Sequence, residues 1–402
     1  MTGPTGRGTE PAKPAKPAKP AGPDEPAEPD EPVGVRRLRG VAELTSLIEV
    51  RAAAKDWGRF SSRLQGDPDV RDYPQLPLEV DPPEHGAYRG LLEPILGRRA
   101  VAALEPAVRT IARDLVEAFA RRRRTEAVFE LAVPMVAASI ALVLGRPQDA
   151  AELTTWGISS WEVLPGGTRS GARLDQYVDR VLDEGARAPG DDAFARIATA
   201  TIGGRPLTRT EQVGLANLIL AGGRDTVILV LCGAMWHLGA DAAARRSLRA
   251  EPARLQLAIE EYLRYLSPNP GMERRATTDL AGEWGRARAG ELVVLGWGPA
   301  NHDPTAFEEP GEIRLDRRPN PHLAFGSGPH TCIGIHLARL EARVFLEELL
   351  AAVPDWRLGE GVELGTIRLG NDVVPARFNA LPLEAGLDPY RSAWSCGVHN
   401  RR

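Results

Sequence analysis

His322-Leu323-Ala324-Phe325-Gly326-Ser327-Gly328-Pro329-His330-Thr331-Cys332-Ile333-Gly334 decides how this chain reads, because a glycine-rich loop leads through a cysteine straight into a helical pattern. Ile333, Leu337, Leu340 and Val344 recur at helical spacing, which puts Cys332 at a helix N-terminus. A thiolate there is stabilised by the positive end of the dipole and by amide N–H groups without intrahelical partners. Gly326 and Gly328 permit positive φ or close approach to a flat ligand, and Gly334 clears the same surface. This placement suits a sulfur that stays deprotonated as a metal ligand. The plainer alternative is a buried structural cysteine after an ordinary turn.

Working outward, composition narrows the class. The chain has 402 residues, a net charge of −4 and a pI near 6.1, so no global field favours nucleic acid or an anionic membrane. Its three cysteines, Cys232, Cys332 and Cys396, include no Cys-x-x-Cys pair. That usage argues for a reducing compartment and against a disulfide framework or a structural zinc site. The longest apolar run, Val227 to Leu238, falls short of the roughly 18 residues of a membrane helix. No apolar signal-peptide core opens the chain. A cytoplasmic protein with no membrane or nucleic-acid partner is expected. Residues 1–33, rich in Pro, Ala, Lys, Glu and Asp, read as a disordered tail, and 387–402 as a polar tail carrying an idle Cys396. Residues 34–386 are left as the folded domain.

A long helix is expected from the capping box Thr208-Arg209-Thr210-Glu211 to about Leu238, spanning roughly 45 Å. A helix so apolar should be buried. Its middle reads Ala221-Gly222-Gly223-Arg224-Asp225-Thr226. Each glycine costs on the order of 1 kcal/mol relative to Ala, and a buried Asp needs a partner. Local rules broken inside a core helix point to a site. Arg224 could pair with Asp225 or with an acidic substrate group, and the sequence leaves this open. On a helix over 252–266, Glu261 and Arg264 stand at i, i+3 and can pair. After Pro82 and Pro83, which suit a first helical turn, His85 and Arg89 share a face at i, i+4.

Further helices are expected over 41–54, 101–119, 126–145, 147–160 and 172–186, with a long loop at 63–80 and weak patterning across 161–205. Arg121 to Arg124 read as a helix stop on a solvated face. Strands are expected at 273–279 with 291–295, at Trp356-Arg357-Leu358, and from Ile367 to Phe378 around a turn at Gly370.

Phe-Gly-x-Gly-x-His-x-Cys-x-Gly at 325–334 resembles the haem-binding loop of the cytochromes P450. Three further stretches resemble that family in the same order: His85/Arg89 the helix start facing the haem propionates, 221–226 the oxygen-activating kink, and Glu261-x-x-Arg264 its Glu-x-x-Arg signature. The resemblance spans roughly 34–386. It implies a mainly α (α+β) fold, a helical bundle around a buried haem with small β-sheets. It implies haem b, Cys332 as the iron ligand, and Phe325, Gly326 and Gly334 against the ring. His85, Arg89, Arg274 and His322 would meet the propionates, with Arg275 as second candidate to Arg274. Asp225 and Thr226 would be catalytic, relaying protons to O2, while Glu261, Arg264 and Arg317 would be structural. Electrons would come from a ferredoxin and ferredoxin reductase, greeted by Arg98 and Arg99. The substrate would be a hydrophobic small molecule or natural-product intermediate, with loops 63–80 and 161–205 over it.

Two departures stand out. Val227 replaces a second Thr often seen, and only residues 34–84 precede His85, so the first helix and opening strand pair are expected to be trimmed. Three other readings compete: a P450 that cross-links aryl groups of a peptide, a non-catalytic P450-like helper, and a haem-free thiol enzyme using Cys332 with His330 as base.

Overall fold

The apolar segment at 209–240 lies at the centre of the packing, as its composition requires. The computed structural model describes residues 36–38, 41–63, 73–160, 162–163, 169–188 and 190–386. Both expected tails, Cys396, and residues 64–72 and 164–168 of the two expected substrate loops lie outside the described residues. The helices are α1 (Leu47–Ala53), α2 (Glu84–Leu96), α3 (Arg98–Ala103), α4 (Glu105–Arg122) and α5 (Val133–Val143). Next come α6 (Ala150–Thr155), α7 (Ala172–Arg187), α8 (Ala193–Thr199), α9 (Arg209–Gly222) and α10 (Asp225–Ala240). The last are α11 (Ala242–Ala250), α12 (Leu255–Leu266), α13 (Trp297–Asn301) and α14 (Ile335–Ala352).

The expected single helix over 208–238 is in fact two. α9 starts on the Thr208/Glu211 capping box and ends at Gly222, and α10 resumes at Asp225. The 209–240 stretch is apolar and long enough to cross a membrane by composition, but 67% of its most apolar window is buried within the protein, the mark of a core helix. α10 packs against α5, α12 and α14, and its residues from Val227 to Met235 are all buried.

Residues 41–54 depart from the expected helix. Val41–Leu44 is a strand, paired with Arg36–Leu38, and α1 begins only at Leu47. The opening strand pair is therefore present. It joins a five-stranded sheet with Leu292–Leu295, Met272–Ala276 and Phe60–Ser61 in that order, parallel only between Val41–Leu44 and Leu292–Leu295. Leu44, Val293, Leu295, Trp297 and Phe307 form a second, smaller core beneath it. The arginine run ends α4 as expected: Arg123 takes φ 62° and Arg124 enters a strand against Pro382–Ala385. The hairpin around Gly370 forms from Glu363–Leu369 and Asp372–Ala380.

Glu261 anchors α12 to the chain that leads into the cysteine loop. Its carboxylate, fully buried, accepts from Arg264 Nε (2.9 Å) and Nη2 (2.8 Å), from Arg317 Nε (3.0 Å), from Asn320 Nδ2 (3.2 Å) and from the Arg314 amide (2.9 Å). Arg264 also donates to the carbonyls of Asn301, Pro310 and Glu312. Removing the carboxylate strands two buried guanidinium groups, and such a loss costs about 3–5 kcal/mol. Glu261→Ala should thus lower the urea-unfolding free energy by that amount. Arg357→Ala, which breaks an exposed pair with Glu384, should change it by less than about 1 kcal/mol.

Candidate active site

The cysteine loop is held in a shape that only glycine permits at two points: φ is +69° at Gly326 and +75° at Gly328. The Cys332 amide donates to the Phe325 carbonyl (2.9 Å), closing the loop so that the sulfur faces a cavity in front of α14. Burial pushes the Cys332 thiol pKa up. The amides of Gly334 and Ile335, with Arg89 and Arg339, oppose this by stabilising the thiolate. At Gly334 a Cβ would meet only the Cys332 sulfur, at 3.8 Å, so the surface around the sulfur is clear. Arg339 stacks over Phe325 (4.8 Å to the ring centroid) and donates to Glu260, which also bonds His322 Nε2 (3.0 Å). Burial raises the Glu260 pKa, but the hydrogen bonds from His322 and Arg339 win and bring it down to about 2.

The opposite wall is the break between α9 and α10. Thr226 N–H donates to Asp225 Oδ1 (2.9 Å), and its hydroxyl reaches the Gly222 carbonyl at 3.4 Å. Gly222, Gly223 and Thr226 all line the cavity. The sequence leads one to expect a buried aspartate here. Asp225 is instead exposed, and Arg224 is the buried charge, only 1% accessible. Its Nη2 donates to the Gly157 carbonyl and its guanidinium lies over Trp156, 5.7 Å from the ring centroid. Nε and Nη1 have no partner, and an unsatisfied buried donor costs about 1–3 kcal/mol. Burial first, then repulsion from Arg173, lowers the Arg224 pKa to about 10, with Asp225 in partial opposition.

Between these walls, cations converge on one side. Arg89 Nη1 donates to the Thr331 carbonyl (2.8 Å) and Arg274 Nη1 to that of Glu273 (2.7 Å). Burial lowers the Arg274 pKa to about 10. The rings of His85 and His330 meet edge-on at 4.4 Å, and His85 Nε2 is buried without a partner. His330 Nε2 lies 3.0 Å from Ser62 Oγ. Its pKa falls to about 3 through burial, then the charges of Arg274, His85 and Arg89. The nearby Asp81 accepts from Ser61 Oγ (2.5 Å) and the Ser62 amide (2.8 Å).

The cavity encloses ≈ 1550 Å³ of empty space, part of it open to solvent, with mostly apolar walls. A cysteine sulfur on one face, a positive wall at the side with an imidazole nitrogen that has no partner among the described residues, and a glycine-cleared surface fit a flat, dianionic metal-bearing group. Haem is such a group.

Of the residues singled out from sequence, His85, Arg89, Thr226, Arg274, Phe325, Gly326, Cys332 and Gly334 line this cavity. Asp225 lies outside the lining, and His322 is drawn away by Glu260. Arg275 turns to the Gly290 carbonyl. His330, though quoted in the motif, was not assigned to the cationic wall; its position two residues before Cys332 was the available signal. Asn269, Trp297 and Glu341 line the cavity without any sequence signal.

Glu341 is fully buried, and burial raises its pKa well above the ordinary value, with the Ser139 hydroxyl in weaker opposition. A raised acid binds its proton more tightly folded than unfolded, so its stabilisation is complete below the unfolded pKa of 4.5 and is lost as pH rises toward the folded value. Glu341→Gln should therefore remove a decline of about 1.4 kcal/mol per pH unit from the stability of the parent above pH 4.5. Urea titrations across pH 5–7 check this.

The family model for Cytochrome P450 matches residues 195–352. The chain is 35% identical over 330 residues to a "Probable cytochrome P450 127A1" of Sinorhizobium fredii, covering 80% of this chain and 79% of that protein. It is 31% identical to a "Steroid C26-monooxygenase" of Mycolicibacterium smegmatis, covering 81% of this chain and 83% of that protein. Among solved structures, one described as "a carbohydrate active P450" superposes with a TM-score of 0.78 at 30% identity, covering 85% of this chain and 91% of that one.

Proposed function

From the premise that this chain belongs to the cytochrome P450 family and is an oxidoreductase of its monooxygenase kind, we propose that it holds haem b through the Cys332 thiolate. Electrons come from a ferredoxin and ferredoxin reductase, and the substrate is a hydrophobic small molecule of secondary metabolism. The observation that carries this reading is the half-buried Cys332 facing an apolar cavity whose far wall is the broken helix at Thr226.

In this reading the Gly334 and Ile335 amides, with Arg89 and Arg339, favour the ionised form of Cys332 against the larger effect of burial, and an iron ion would complete its stabilisation. Arg89 and Arg274 meet the propionates as cations, while His85 and His330, whose pKa values are lowered chiefly by burial, offer ring nitrogens as hydrogen-bond partners. His322 supports the loop from behind through Glu260 rather than meeting a propionate. Bound there, haem with O2 and two electrons supplies the oxidising chemistry, which is the cofactor's own. Thr226 turns its hydroxyl from the Gly222 carbonyl to present a proton inside the cavity. Asp225, exposed and bonded to the Thr226 amide, takes protons up from water. Apolar walls exclude other water from the reacting centre.

Arg98 and Arg99, exposed at the start of α3, suit docking of an acidic ferredoxin. The hydrophobic substrate class rests on the cavity's apolar lining, because the relatives named above act on chemically different molecules. A cytoplasmic setting follows from the low cysteine usage. The thiol-enzyme alternative is disfavoured: a histidine with a pKa near 3, engaged with Ser62, is a poor base for a thiol.

The reduced protein with carbon monoxide should show the far-shifted thiolate band, and Cys332→Ala should abolish it; a band unchanged in that variant overturns the reading. Thr226→Ala should keep haem but release most reducing equivalents as peroxide, measured with a surrogate ferredoxin and reductase. A Soret-band binding screen across peptides, polyketides, terpenoids and aromatic acids identifies the substrate class. Product mass then separates insertion of one oxygen from loss of two hydrogens, the outcome expected of aryl coupling.

A further inference from the structure

Arg224 is the residue this reading does not use, and its position is unfavourable on three counts. It is buried, with two nitrogens that have no partner among the described residues. It occupies the N-cap of α10, at the positive end of that helix. It also shares the Trp156 ring with a second cation, Arg173, both guanidinium carbons standing 5.7 Å from the ring centroid. An apolar side chain of similar length would meet none of these penalties, and replacing a buried charge by an apolar group is often neutral or stabilising.

The backbone around it shows what the side chain provides. Two adjacent glycines, Gly222 and Gly223, precede Arg224 and leave the chain permissive there. The ladder bond that would join the Thr226 amide to the Gly222 carbonyl is replaced by side-chain bonds within the break. Regular helix resumes with the Ile228 amide on the Arg224 carbonyl (3.0 Å). Arg224 itself has φ −100° and ψ −77°. Its side chain reaches out of the break to the Gly157 carbonyl, in the segment that follows α6. A longer contact runs parallel to it, from Ser160 Oγ to the Leu220 carbonyl at 3.5 Å.

We infer that Arg224 is a positioning residue for the reaction: its bond to the Gly157 carbonyl pins the α9–α10 break and thereby aims Thr226 and the Gly222 carbonyl at the cavity. The inference rests on the proton-delivering role proposed for Thr226. It requires stability and function to pull apart at this position.

The test compares haem-loaded parent, Arg224→Leu and Arg224→Lys. Three quantities are measured: the melting temperature, amide hydrogen exchange by segment, and peroxide released per reducing equivalent with the tightest compound of the Soret screen. Arg224→Leu should melt no lower than the parent, exchange at least ~10-fold faster across 222–228 alone, and release more peroxide at unchanged spectral affinity. Arg224→Lys, which can still donate to Gly157, should restore slow exchange. Unchanged exchange at the break, unchanged peroxide release, or a lower melting temperature with faster exchange throughout the core would each overturn the inference. A parent lacking the thiolate carbon monoxide band would overturn the proposed function instead, which keeps the two failures distinct.

Discussion

Presenting a sulfur to an apolar cavity is the constraint on which the rest of this structure depends. Desolvation drives Cys332 toward the neutral thiol, and the protein counters with fixed dipoles and nearby cations. The dipoles come from placing the sulfur at the start of α14, so the loop must turn sharply just before that helix. Gly326 and Gly328, both at positive φ, supply the turn. Arg339, packed over Phe325 and tied to Glu260, adds charge while bracing the loop from behind. One electrostatic need thus fixes the loop's shape, the helix that follows it and the ion pairs behind both.

Buried charge is treated in two opposite ways in this molecule. At Glu261 every partner is present: two guanidinium groups, an amide side chain and a backbone N–H converge on one carboxylate. A carboxylate so well satisfied holds chain segments together and leaves none of its own charge for a ligand. Along the cavity the reverse holds. His85 Nε2 has no partner, and His330 sits among positive neighbours. An incomplete cluster on a cavity wall is what an anionic ligand would complete.

The broken helix shows the same logic in the backbone. α9 and α10 are apolar enough to run as one buried rod, yet glycines and two charged residues interrupt them at the cavity wall. A continuous helix would close its own backbone ladder across this point. The interruption instead places Gly222, Gly223 and Thr226 on the cavity wall.

Much of this was legible in the sequence because it depends on neighbours along the chain. The cysteine loop, the glycine pair, the Glu261/Arg264 spacing and the helix start at His85 and Arg89 are local patterns, and local geometry alone brings each set together. The hairpin around Gly370 follows from its turn residues, whereas the mainly helical architecture was implied by the family resemblance those local patterns carry. What the sequence could not give was direction. Asp225 and Arg224 are adjacent, and only packing of the segment after α6 decided that the arginine is buried and the aspartate exposed. His322 and His330 stand in the same loop, yet Glu260, reaching over from α12, claims the first and leaves the second on the cavity wall. The strand at 41–44 reads as helix because four residues carry too little periodicity, and one of its two partners, Leu292–Leu295, lies far along the chain. Periodicity reports which face of an element is apolar; which distant group meets that face is set by the tertiary fold.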